Sequence, residues 1–81
     1  MRNAMTDDSA KPATLLLRGD HITLAHAIKA VGAAGTGGHA KHLVRNGEAL
    51  VNGEPAAQPG RKLRAGDRFG IVGGGEWTII V

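Results

Sequence analysis

Eighty-one residues allow one small domain, and the absence of cysteine rules out both a disulfide and a thiolate metal site as a staple for it. Ten lysines and arginines against seven acids give a formal charge of +3, too modest an excess to specify a partner by itself. No apolar run approaches the roughly 18 residues of a membrane span, and MRNAMTDDSAKPAT at the start lacks the apolar stretch of a secretory signal, so the expectation is a cytoplasmic protein with no membrane contact.

In chain order, residues 1–13 are polar, aperiodic and broken by Pro12, and read as a disordered leader to a single domain over residues 14–81. TLLLR at 14–18 is a short apolar run expected to form a strand, and Gly19-Asp20 turns the chain. The triplet Arg18-Gly19-Asp20 spells an adhesion motif, but without a secretory signal it is read as part of that turn. Thr23 is a cap for a helix from about Leu24 to Val31, where Leu24, Ala27, Ile28 and Val31 share one apolar face, and Gly32 ends it. Thr36 caps a second helix from about Gly37 to Arg45, with Ala40, Leu43 and Val44 as its buried stripe and Asn46-Gly47 as its stop.

Strand chemistry follows. EALVNGEPAA reads as a strand, a hairpin turn at Asn52-Gly53 and a short return, which Pro55 and Pro59 make irregular or confine to an edge. A turn at Ala65-Gly66-Asp67 leads into a strand with Phe69 and Ile71 on one face. The glycines at 73–75 make a hairpin, and EWTIIV closes the chain with Trp77, Ile79 and Val81 alternating inward. The fold class expected is α+β: two short helices packed on a small, mostly antiparallel sheet, read as a monomer.

Little here supports catalysis. The acids after Asp20 (Glu48, Glu54, Asp67 and Glu76) are scattered, and the single serine, Ser9, lies in the leader. His39 and His42 stand three apart on the second helix, but nothing nearby completes the three or four ligands of a zinc site. GTGGHAK at 35–41 has the glycines of a phosphate cradle without the Gly-Lys-Ser/Thr ending of a nucleotide-binding loop. No enzyme activity, cofactor or metal is expected.

The charges are more informative in their distribution. From Lys41 to Arg68 there are six basic residues and three acids, so the whole excess of three lies in this stretch. Lys41 and Arg45 stand at i and i+4 on one face of the second helix, beside His42, while Leu43 and Val44 turn to the core. Gly60 to Arg64, GRKLR, adds three positive groups from a loop, and a loop folded beside the helix would complete a basic surface. Taken singly, each of these charges is an ordinary solvated side chain; together they point to a polyanion. The chain has no tyrosine, and Phe69 and Trp77 fall at inward positions, which argues against a stacking platform for single-stranded bases and for recognition of shape and phosphates on a structured nucleic acid. Physics alone leaves RNA, duplex DNA and an acidic protein surface open at this point.

ITLAHAIKAVGAAGTGGHAKHLVRNGEALVNG, followed by GRKLRAGDRF, resembles the S4-type RNA-binding domain with its alpha-L motif, and most of all its small freestanding bacterial members. The likeness runs from about Ile22 to Val72. It implies two helices against a small bent sheet, with RNA held along the second helix and the loop after the hairpin. By position, Thr36, Gly38, Lys41 and Arg45 match the helix side of that surface and Arg61 and Lys62 the loop side; Gly37 joins Thr36 and Gly38 in capping the helix and lending backbone N–H donors, and His42 and Arg64 are candidates for the rim. Relatives of this type act on structured RNA, often ribosomal RNA or tRNA, so the resemblance implies a non-enzymatic binder of structured RNA, ribosomal RNA first. A module docking on an acidic partner in a ribosome-assembly or DNA-repair complex is the alternative. The chain departs from the family just before the Gly-Arg-Lys, where AAQPG replaces further arginines and removes two phosphate contacts.

Overall fold

The computed structural model describes residues 13–81, so the expected leader lies outside the described residues, except for Ala13. Among the described residues, seven short strands and two helices follow in the order β1 (Thr14–Leu16), β2 (Ile22–Thr23), α1 (Leu24–Ala30), α2 (Gly37–Arg45), β3 (Ala49–Val51), β4 (Glu54–Pro55), β5 (Lys62–Leu63), β6 (Arg68–Ile71) and β7 (Gly75–Ile80). This is an α+β domain with a mostly antiparallel sheet.

Both helices begin and end as their sequences dictate. The Thr23 hydroxyl accepts the N–H of His26 at 3.3 Å and the Thr36 hydroxyl that of His39 at 3.0 Å, so each threonine satisfies a donor with no partner inside its helix. At the far ends the same two bonds recur. Gly32 N–H donates to Lys29 O and Ala33 N–H to Ile28 O; Gly47 N–H donates to Val44 O and Glu48 N–H to Leu43 O. Both are Schellman motifs, and their glycines hold φ +80° and +78°, the left-handed backbone that a residue with a Cβ adopts at a cost.

Five strands form one sheet in the order β1-β7-β6-β3-β4. Asn52 and Gly53, at φ 52° and 85°, make the tight turn of the β3–β4 hairpin, whose twist matches that of its strands. β4, with its proline, is one edge of the sheet and β1 the other. β6 pairs antiparallel with both β3 and β7, whereas β1 lies parallel to β7 with Thr14 opposite Thr78 and Leu16 opposite Ile80. β2 and β5 form a separate two-stranded ribbon, Ile22 opposite Leu63 and Thr23 opposite Lys62.

The core lies between the helix pair and one face of the sheet. Leu24 and Ile28 from α1, Val44 from α2, Val51, Leu63, Phe69 and Ile79 from the strands are its largest fully buried side chains. Each contributes about 1.5–3 kcal/mol by leaving water. Leu43 and Val31, expected in the apolar stripes, are half-buried at the stripe margins.

Two inward expectations need correction. Val81 is 84% exposed, because β7 ends at Ile80, opposite Leu16, and no strand continues beside the last residue. Trp77 is half-buried: one side of its ring stacks on Phe69, with centroids 5.6 Å apart and planes 20° apart, while the residue also lines a depression of about 300 Å³ with Val31, Gly32, Ala33, Ile71 and Gly74. The strand expected over 14–18 is shorter, Thr14–Leu16, although Leu17 N–H still donates to Ile80 O.

Candidate nucleic-acid interface

α2 mounts its charges on a fixed base. Ala40 and Val44 have no exposed area, and the helix packs along α1. A helix advances about 100° per residue, so anchoring that stripe turns Lys41 and Arg45 outward on one flank, and both are exposed. Thr36 and Gly38 are exposed at the helix start and Gly37 is half-buried. Thr36 binds the N–H of His39; those of Gly37 and Gly38 have no protein partner among the described residues and point out along the helix axis at its positive end.

The start of α1 is closed by contrast. Leu24 N–H donates to Arg61 O at 2.8 Å and Ala25 N–H to Pro59 O at 3.0 Å. The carbonyls of the basic loop thus take the donors of the first turn. This clamp fixes the backbone of the loop and leaves the Arg61 and Lys62 side chains exposed. Leu63 anchors the next position by complete burial, and Lys62 and Arg64 flank it in the exposed positions that strand alternation requires.

A side-chain network holds the far end of the loop. Arg64 to Asp67 is a type II turn, with Asp67 N–H donating to Arg64 O at 3.0 Å and Gly66 at φ +95°. Asp67 Oδ2 accepts the Arg64 N–H at 2.8 Å and its Oδ1 accepts from Asn52 Nδ2 at 3.4 Å; Asn52 Oδ1 in turn accepts the Arg68 N–H at 3.0 Å. The β3–β4 turn is thereby tied to the turn that carries Arg64.

All nine residues singled out in the sequence lie on helix α2, at its Thr36 cap or on the segment 61–64, and eight are exposed. Both groups are mounted on α1: α2 packs on its side, and the loop bonds to its first turn. Among the described residues the ion pair present is Arg68–Glu76, at 3.7 Å. Lys41, Arg45, Arg61, Lys62 and Arg64 have no acidic partner there, and the carboxylate nearest to Arg64 in the chain, that of Asp67, is engaged by backbone and amide N–H groups.

Such an arrangement offers cations and backbone donors on rigid mounts. It suits an anionic ligand that is itself shaped. An S4 domain model matches residues 15–80, nearly all of the described chain. The chain belongs to the S4 domain family. A second finding agrees: a probable ribosome maturation protein, RlbA, of Bacillus subtilis (strain 168) is 39% identical over 59 residues, which cover 73% of this chain and 83% of that protein. Family membership accounts for the two helices and the mostly antiparallel sheet. Among the described residues no three His, Asp or Glu side chains gather to hold a metal ion, and no helix is long and apolar enough to cross a membrane.

Sequence reasoning missed two parts of this S4 surface. The Asn52–Asp67 network was visible only as two separate turn signals, Asn-Gly and Gly-Asp. The clamp of the loop on α1 is made by main-chain atoms, for which side-chain identity carries no signal.

Proposed function

We propose that this S4 protein is a non-enzymatic RNA-binding protein that grips structured RNA, ribosomal RNA in first place, in the cytoplasm. Lys41 and Arg45 on α2 and Arg61 and Lys62 on the loop would contact phosphates, with Arg64 and His42 at the rim. Thr36, Gly37 and Gly38 would present the helix start, where the two glycine N–H groups suit a phosphate oxygen.

The observation that carries the reading is the set of five exposed cations with no ion pair among the described residues, held on two rigid mounts in a member of the S4 family. The name of the B. subtilis relative, a probable ribosome maturation protein, supports a ribosomal target.

The test is a titration of the purified protein with a structured ribosomal RNA fragment over a range of salt. About three to five phosphate contacts give a slope of log K on log salt of roughly −2 to −4. No binding at low salt would overturn the reading and favour docking on an acidic protein surface.

A further inference from the structure

Helix α2 carries a second exposed stripe that the cations do not account for. At about 100° per residue, Lys41 and Arg45 fall on the flank next to Val44. His39 and Asn46 fall on the opposite flank, next to Leu43, with His42 between them and Arg45 on the outermost face, and all three are exposed. None of them has a carboxylate partner among the described residues.

Two of these side chains are joined. Asn46 Nδ2 lies 3.0 Å from His42 Nε2. When the amide donates, Nε2 accepts and the imidazole proton sits on Nδ1. The pair then presents one outward donor, His42 Nδ1–H, and one outward acceptor, Asn46 Oδ1, and neither atom has a partner among the described residues. The reverse arrangement, with Nε2–H donating to the amide oxygen, also leaves one donor and one acceptor, with the roles exchanged.

We infer that the His42–Asn46 pair reads the ribose 2′-hydroxyl of the bound RNA, next to the phosphates held by Lys41 and Arg45; the inference rests on the RNA-binding reading above. A 2′-hydroxyl donates one hydrogen bond and accepts another, which is the complement of what the pair offers. It is also the group that distinguishes RNA from other nucleic acids at a given position, and it lines the wide minor groove of an A-form helix beside the phosphates. Charge and sugar recognition are therefore divided between the two flanks of one helix. The cations supply salt-dependent affinity, and the hydrogen-bonding pair supplies preference for RNA.

The experiment uses a fluorescein-labelled ribosomal RNA stem-loop and its 2′-fluoro counterpart, which keeps the A-form helix but has no sugar hydroxyl. The whole chain is compared with His42→Ala, Asn46→Ala and Lys41→Ala, each checked for native circular dichroism. The parent should bind the hydroxyl form roughly five- to thirtyfold more tightly, the effect of one to two typical hydrogen bonds. Asn46→Ala should remove the part of that preference carried by one hydrogen bond, leave binding of the 2′-fluoro form unchanged and keep the parent's salt slope; His42→Ala should narrow the gap between the two ligands likewise. Lys41→Ala should weaken both ligands equally and flatten the slope. If Asn46→Ala weakens both ligands equally, flattens the slope or changes nothing, or His42→Ala leaves the gap between the two ligands as in the parent, the inference fails while the RNA-binding reading stands. A parent that binds neither ligand removes both.

Discussion

Asn52 and Asp67, fifteen residues apart, close one network: the Asn52 amide donates to Asp67 Oδ1 at 3.4 Å, and each side chain also accepts a backbone N–H of the segment 64–68. Asn52 takes that of Arg68, and Asp67 that of Arg64. The hairpin turn thereby fixes the position from which Arg64 projects. Asp67→Ala removes two acceptors at a half-buried site, and the expected loss is about 1–2 kcal/mol of stability, read as a lower urea midpoint with an unchanged slope. Asp67→Asn keeps one acceptor oxygen and should recover part of the loss. A midpoint unchanged in Asp67→Ala would show that the network adds no stability.

Gly70 is a second point of strict geometry. A Cβ there would overlap the carbonyl oxygen of Gly75, a backbone atom of the paired strand that cannot swing aside. Gly70→Ala should destabilise the domain by about 1–3 kcal/mol, as forced overpacking does. Gly60→Ala is the control, since a Cβ at Gly60 meets open space. Thermal unfolding of the two variants side by side checks the contrast; equal midpoints would refute it.

Much of this domain was legible in advance, for physical reasons that differ between elements. α2 was read with its observed bounds because Thr36, the Ala40/Val44 stripe and Gly47 all signal locally. The Asn52-Gly53 turn was legible because few residue pairs tolerate two left-handed positions in a row. The parallel pairing of β1 with β7 was not legible, since it joins the two ends of the domain and no local pattern encodes a partner so far away. The β2–β5 ribbon escaped notice because two residues per strand are too few for alternation to show. Val81 shows the limit of alternation, which says where a side chain would point but not whether anything lies there to cover it. The cationic residues were found from sequence, but their lack of ion pairs within the described domain was not, because it depends on where Asp67 and Glu76 spend their carboxylates.

The two helix caps allow a paired comparison. Thr36→Ala should cost about 1 kcal/mol, and Thr36→Ser should restore most of it, because the hydroxyl that accepts the His39 N–H is what matters. Thr23→Ala should cost less. The Thr23 bond is longer, 3.3 Å against 3.0 Å, and the first turn of α1 is also held by the carbonyls of Pro59 and Arg61. Urea titration of the three variants measures the order, and a Thr23→Ala loss larger than that of Thr36→Ala would show that the loop carbonyls do not share the load.

The basic surface makes the most specific prediction about binding. Lys41 and Arg45 are exposed, unpaired among the described residues and on a flank of α2 outside its buried stripe, so Lys41→Ala with Arg45→Ala should leave unfolding within about 0.5 kcal/mol of the parent. On the proposed reading the same double change removes two phosphate contacts, and the slope of log K on log salt should become shallower by roughly 2. Arg61→Ala with Lys62→Ala should act equally on the slope, although these residues lie on a different element, because counterion release depends on the number of phosphates neutralised and not on which element neutralises them. All four changes together should abolish most of the salt dependence. A variant set in which only the α2 pair alters the slope would confine the RNA to the helix and remove the loop from the interface.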